Sequence, residues 1–438
     1  MPPGGPSRDG GIVAAVMRQA DATKRVPPIL KHALSLLLLI LPLAAQADPH
    51  ELAASLTLDT LVETARHDNA ALRAARARAA AMNERPAQEK ALPNPMFKYG
   101  AMDATSRGNL ADAGEKRFMV EQPFLWFGKR DLRMKIAGQD AAAMRQEAEM
   151  LEREIVMQVK ETYYDLYGVQ HVTQIVRAEE KLLREILTAA ENQYATGQRT
   201  QQDVIKAEAE ITMLQQKLVE QEQQEASLKA RLNQLLNRSP ADPLGLAVVG
   251  PLRRPSGSAA TGERPEIKAA KIDLERSQLQ RQLMHKEFFT DYRIGAEYRN
   301  YRAGDDMVML TFSFDLPIWQ SKYRAGVREA EKMVESSAAT LDAVRQQAAF
   351  ESADARYKLL AAQRSLELYE QTLIPQAESR FKASDASYRT GKGDFMDLLE
   401  SERFLLNART MDAMAEGNLG MQQARLERTA GTNFEEKK

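Results

Sequence analysis

Between Gly128 and Ser239 the chain has no proline, and its apolar residues recur at helical spacing. Ile175, Leu182, Leu183, Ile186, Leu187 and Ala190 form one stripe. Val204, Ile211 and Leu218, flanked by Ile205, Thr212 and Val219, keep a seven-residue spacing behind it. Heptads of this kind bury one seam against neighbouring helices, and the Glu, Gln, Lys and Arg between them leave the other faces to water. Tyr194-Ala-Thr-Gly-Gln-Arg-Thr200 separates the two stripes. The pattern therefore predicts an antiparallel helical hairpin with glycine at its turn. Its leading helix, over residues 129–193, would reach on the order of 100 Å at about 1.5 Å per residue.

Elsewhere the period is two. Tyr292, Ile294, Ala296 and Tyr298 alternate with Arg293, Glu297 and Arg299. After the turn-rich Tyr301-Arg-Ala-Gly-Asp-Asp306, Val308, Leu310, Phe312, Phe314 and Leu316 alternate with Met307, Met309, Thr311, Ser313 and Asp315. That predicts a β-hairpin with one apolar face. A weaker alternation over residues 96–102 and 116–122, joined by a polar loop at 104–114, predicts a second hairpin closed by Pro123. A helix should precede each hairpin: one from Thr57 to about Asn83, ending in the stretch from Pro86 to Pro95, and one from Arg264.

These elements occur twice. Tyr194-Ala-Thr-Gly-Gln-Arg-Thr-Gln-Gln-Asp203 recurs as Tyr388-Arg-Thr-Gly-Lys-Gly-Asp-Phe-Met-Asp397, and Pro123-Phe-Leu-Trp126 recurs as Pro317-Ile-Trp319, both at an offset of 194 residues. Two anchors at one offset indicate an internal duplication. The first repeat takes residues 48–250, a Pro/Gly/Ser-rich linker 251–263, the second repeat 264–431 and a short tail 432–438. Pro375 is the main departure between repeats and should kink or interrupt the descending helix of the second.

Lys24, Arg25 and Lys31 precede the apolar run of residues 33–44, and Ala45-Gln-Ala47 follows it. Residues 1–47 thus read as a signal peptide, with translation from Met1 or Met17, because the run is too short to span a bilayer and is cut by Pro42. Beyond it stand 55 bases against 59 acids, so nucleic acid is an unsuitable partner. The chain has no cysteine, which excludes disulfides, thiolate metal sites and a lipidated N-terminal cysteine. His32, His50, His67, His171 and His285 sit singly and support neither catalysis nor metal binding. Met307 and Met309 share a strand face, but methionine is an ordinary filler of packed space. Neither an enzyme nor a resident cofactor is expected.

Four strands of about ten residues suit an outer membrane, yet the smallest single-chain barrels there have about eight. An open apolar sheet would leave unpaired edges in lipid, so several copies must share one barrel, with the long helices lined up beneath it. A secreted coiled-coil structural or adaptor protein is the alternative, but it has no use for four apolar-faced strands.

The two turns, Leu316-Pro-Ile-Trp319 and Leu373-Ile-Pro-Gln-Ala377 together resemble the TolC-type outer-membrane factors over residues 56–431. Gln122-Pro-Phe-Leu-Trp-Phe-Gly-Lys-Arg130 is most similar to their heavy-metal branch. The resemblance implies a fold that is mostly α with a small β part. Duplicated helical hairpins would form a trimeric α-barrel topped by a transmembrane β-barrel with four strands per chain. It also implies a homotrimer in the outer membrane with a long periplasmic part. That trimer would act as the exit duct of a tripartite efflux system, with a periplasmic adaptor and an inner-membrane pump of RND type, or else as a type I protein-secretion duct. The cargo, heavy-metal cations or otherwise, is not written in these residues.

On the same resemblance, Thr196, Gly197, Gln198, Thr390, Gly391 and Lys392 would be the tips that dock the adaptor. Asp203 and Tyr388 would hold the gate. Where the family's gate network has an arginine two residues after the second glycine, this chain has Gly393, leaving Lys392 or Arg199 as substitutes or a leakier end. Asp397 and Glu400, three apart on one helix face, would ring the entrance with carboxylates, though two acids on a charged helix also read as a solvated face.

Overall fold

The computed structural model describes residues 57–102, 113–248 and 263–430. The expected signal peptide, the first loop between strands, most of the linker and the tail lie outside them. The first repeat opens with helices α1 (Leu58–Asp68), α2 (Ala70–Met82) and α3 (Arg85–Lys90). One helix through to Asn83 was expected, but the chain breaks at Asn69. There the side-chain carbonyl accepts from Leu72 N at 3.0 Å while its amide donates to Leu235 O at 2.8 Å, capping α2 and tying it to a distant helix end. The proline stretch also forms a helix, because Pro86 sits in the first turn of α3, where a missing N–H costs nothing.

Strands β1 (Met96–Met102), β2 (Glu115–Phe124), β3 (Tyr292–Tyr301) and β4 (Met307–Phe314) form one antiparallel meander in the order β1-β2-β3-β4. The register sets Lys98, Met119, Glu297 and Met309 in one row and Tyr99, Phe118, Tyr298 and Val308 in another. Charged and methionine side chains therefore share one face and aromatic and aliphatic ones the other. β2 continues through Pro123 instead of ending before it. β1 begins at Met96 opposite Glu121, so Pro123 is paired only with Arg293 of β3 and its missing donor interrupts no ladder on the β1 side.

From the sheet descends α4 (Lys129–Ala195), 67 residues without a break, and α5 (Gln201–Leu235) returns. The second repeat runs α6 (Pro265–Lys286), the hairpin β3–β4, α7 (Gln320–Leu368), a π-helical turn at Tyr369–Leu373, α8 (Ile374–Arg389) and α9 (Phe395–Ala430). The expected interruption at Pro375 is that π turn: proline cannot donate, and one widened turn absorbs the lost bond so that the helix can continue.

Among the described residues the helices pack around four apolar clusters, of which two are large. Leu61, Leu72, Val159, Tyr163, Leu166, Leu232 and Leu236 pack beneath α1 and α2, and Val176, Leu183, Ile186, Ile211, Tyr388, Phe395, Leu398 and Leu399 pack near the hairpin turns. The buried seam of α5 centres on Ala207, Ile211 and Leu214; Val204 and Leu218 flank it and Ile205 and Val219 are exposed. Helices α4 and α9 approach closely around Gly168 and Gly417, where a Cβ on Gly417 would stand 2.7 Å from the Tyr164 carbonyl oxygen.

Candidate functional site

The two hairpin turns are built alike. Helix α4 stops at Thr196, Gly197 takes φ +73°, and its N–H and that of Gln198 donate back to Tyr194 O and Gln193 O, both at 2.9 Å. Helix α8 stops at Thr390, Gly391 again takes φ +73°, and its N–H and that of Lys392 donate to Tyr388 O and Ser387 O, both at 3.0 Å. This paired bonding of the last carbonyls requires a left-handed residue, which is why glycine occupies both positions. Thr196 and Thr390 repeat even the side-chain bond, donating to Gln193 O at 3.0 Å and Ser387 O at 3.1 Å. All six expected tip residues are exposed.

Behind the tips, Tyr388 is buried against Phe395, with ring centroids 5.4 Å apart. The guanidinium of Arg199 lies 4.7 Å over the Tyr388 ring and donates to Gly393 O at 2.9 Å. Gly393 has no room for a side chain, since a Cβ there would stand 2.9 Å from Ser387 Cβ and 3.0 Å from Tyr388 N. Arg199 of the first hairpin thus places a cation against the second hairpin beside Gly393. Asp203 is buried beside this group and makes no hydrogen bond to Tyr388, whose hydroxyl finds no partner among the described residues. Burial raises the Tyr388 pKa, Arg199 opposes the rise and the Asp203 charge adds to it. Asp397 and Glu400 are exposed on α9, and Glu400 pairs with Arg380 of α8 at 3.2 Å.

A model of the family described as outer membrane efflux protein matches residues 61–238 and again 257–432. The chain belongs to the outer membrane efflux protein family. This efflux protein is 24% identical over 372 residues to the cobalt-zinc-cadmium resistance protein CzcC of Cupriavidus metallidurans, covering 82% of this chain and 86% of that one. Its fold is that of VceC from Vibrio cholerae, an outer membrane protein, with TM-score 0.75 and 20% identity over 86% of this chain and 97% of that one. The channel protein CusC gives TM-score 0.75 and 16% identity, covering 86% and 92%. The family and these neighbours are channels, not enzymes. The efflux protein resides in the outer membrane, with its long helical part in the periplasm.

One part of the efflux protein escaped the sequence reading, the polar seam between α4 and α9 that joins the repeats. At its sheet-ward end, about halfway along α4, it holds complementary pairs: Lys160 with Glu427 at 2.7 Å, both buried, and Arg425 with Glu161. Midway, Glu416 accepts from the Tyr167 hydroxyl at 3.0 Å and faces His171 at 3.3 Å. Toward the tips the pattern reverses, and Glu179 of α4 meets Glu402 of α9. Both are buried, and among the described residues neither oxygen of Glu402 nor Oε1 of Glu179 has an N–H or O–H donor. Burial, with the facing Glu179, pushes Glu402 up to about 9. Burial also raises Glu179. Next to them Arg403 pairs with Glu210 of α5. The signal was available: Glu402 falls inside the stripe Leu398, Leu399, Leu405, Leu406, and Glu179 inside Val172, Val176, Leu183, Ile186.

Proposed function

We propose that three copies of this chain close a twelve-stranded barrel and a helical tunnel beneath it, and that this trimer is the exit duct of a tripartite efflux system. The observation that carries the reading is the sheet. Its outward face is exposed and apolar, with Leu310 81% and Phe312 64% accessible, and both edges, β1 and β4, are unpaired among the described residues. An apolar sheet with free edges is tolerated in lipid only when the edges meet another copy. Trp126, Phe127, Phe289 and Trp319 lie where strands give way to helices, as an aromatic belt at a membrane surface would.

In this reading the exposed tips at Thr196–Gln198 and Thr390–Lys392 receive a periplasmic adaptor, which couples the duct to an inner-membrane pump of RND type. Arg199, Tyr388 and Asp203 hold the tips together, and Asp397 and Glu400 face the entrance. Divalent heavy-metal cations are the proposed cargo, supported by the likeness to the cobalt-zinc-cadmium resistance protein.

The absence of cysteine makes a direct test clean. Single cysteines placed along β1 and along β4 should form disulfides between chains and yield a covalent trimer; none, in any register, would remove the shared barrel. Deleting the gene should sensitise cells to zinc, cobalt and cadmium. Normal metal tolerance together with loss of a secreted protein would favour the secretion duct.

A further inference from the structure

We propose that Glu179 and Glu402 share one proton in this conformation, and that this proton clasps the second repeat's hairpin to the first and releases it on leaving. The role in opening rests on the duct reading above.

Three observations carry it. First, the two carboxyl groups are buried facing each other across the α4–α9 seam, both are acceptors when ionised, and among the described residues Glu402 has no donor for either oxygen. A contact between two such groups is attractive only if one oxygen carries a proton. Second, the surroundings do not cancel the charge. Facing the pair are Glu210 from α5, Arg403 and Arg409 from α9 itself and, through Arg409, Glu378 from α8. Arg403 is engaged by Glu210, and Arg409 donates to Glu378 at 3.2 Å, so each nearby cation already has another acid. Third, the pair occupies the tip-ward part of the α4–α9 seam, whose sheet-ward part is held by opposite charges. A contact that turns repulsive on ionisation is thus placed where the two hairpins must part for the entrance to widen.

The sign of the pH effect follows. With Glu402 held near 9 in the clasped form and near its ordinary value of 4.5 once exposed to water, the clasp is fully formed below about 4.5 and is lost as pH rises toward about 9. Across that window the released form should gain up to about tenfold per pH unit for each protomer that lets go.

The test uses the full-length protein. Carboxyl-stretch infrared spectra of purified protein at neutral pH should show a protonated acid that disappears in Glu402→Gln and in Glu179→Gln, while the amide of either variant donates to the remaining carboxylate and keeps the clasp. In planar bilayers the wild-type channel should open more often as pH rises from 6 to 8, about a hundredfold at most for a single clasp, and both variants should stay shut with a flat profile. No protonated acid in the wild type, or an unchanged slope in both variants, overturns the proposal. If the protein forms no channel, the duct reading falls and the opening role with it, whereas the infrared signal still decides whether the proton is there.

Discussion

Arg199 carries the contact between the two turns. Its guanidinium stacks on Tyr388 of the other repeat and bonds to the carbonyl of a glycine that has no space for anything larger. A cation over an aromatic ring contributes about 0.5–2 kcal/mol, so Arg199→Ala should raise the open fraction of reconstituted channels roughly tenfold. Arg199→Lys should recover only part of this, since an ammonium lacks the planar fork that serves ring and carbonyl together. An unchanged resting conductance in the alanine variant would show that the tips are held elsewhere. The departure at Gly393 was legible in the sequence, and Arg199 was one of two candidates to make up for it. Choosing between Arg199 and Lys392 was not possible, because the packing of one hairpin on another is set by contacts that no period along the chain records. Glu179 and Glu402 were missed for a different reason: stripes are read by their apolar members, and an acid within one is easily taken for a flaw.

Among the elements, those with a clean period were the most legible. The unbroken α4, both hairpin turns and the faces of β3 and β4 follow from spacings of 3.6 and 2. The break at Asn69 did not, because its cap depends on a bond to Leu235, 166 residues away. The turn at Gly391 offers a direct check on the tips. Its φ of +73° lies outside the range of proline, and its N–H is used by Tyr388 O, so Gly391→Pro must unmake the turn. Export through the duct should be lost while trimers remain on native gels; loss of the trimers too would return this glycine to a folding role. On the seam, Lys160 and Glu427 are both buried and bonded at 2.7 Å. Lys160→Met would strand a carboxylate between α4 and α9 at a cost of about 3–5 kcal/mol, seen as a lower unfolding midpoint in detergent. A midpoint equal to that of the wild type would mean that water reaches Glu427.

At the scale of the whole molecule, strand length and an apolar face in the sequence were enough to expect a sheet of four strands, and the described strands form one, with β1 and β4 at its edges. The proposed acidic entrance belongs to this scale as well, since only the threefold axis of the proposed trimer would gather six carboxylates from Asp397 and Glu400. Glu400 is balanced by Arg380 within its own chain, so Asp397 should contribute more to the field. Asp397→Ala with Glu400→Ala should lower cation preference and relieve block by a trivalent complex ion added from the periplasmic side; unchanged selectivity would leave both acids on a solvated face. The repeats differ in one respect that matters for how such a body can bend. The first descends as a single 67-residue helix, whereas the second descends as 49 residues, a five-residue π turn and 16 more. A continuous helix resists flexing along its whole length, and a widened turn is a local soft spot. The first repeat then serves as a fixed mast, and the second as a boom whose elbow lies at Tyr369–Leu373. Any swing of the entrance should be confined to the 16 residues below that elbow and the strand-ward end of the body should hold its shape, so that opening one end of the molecule need not disturb the seal at the other.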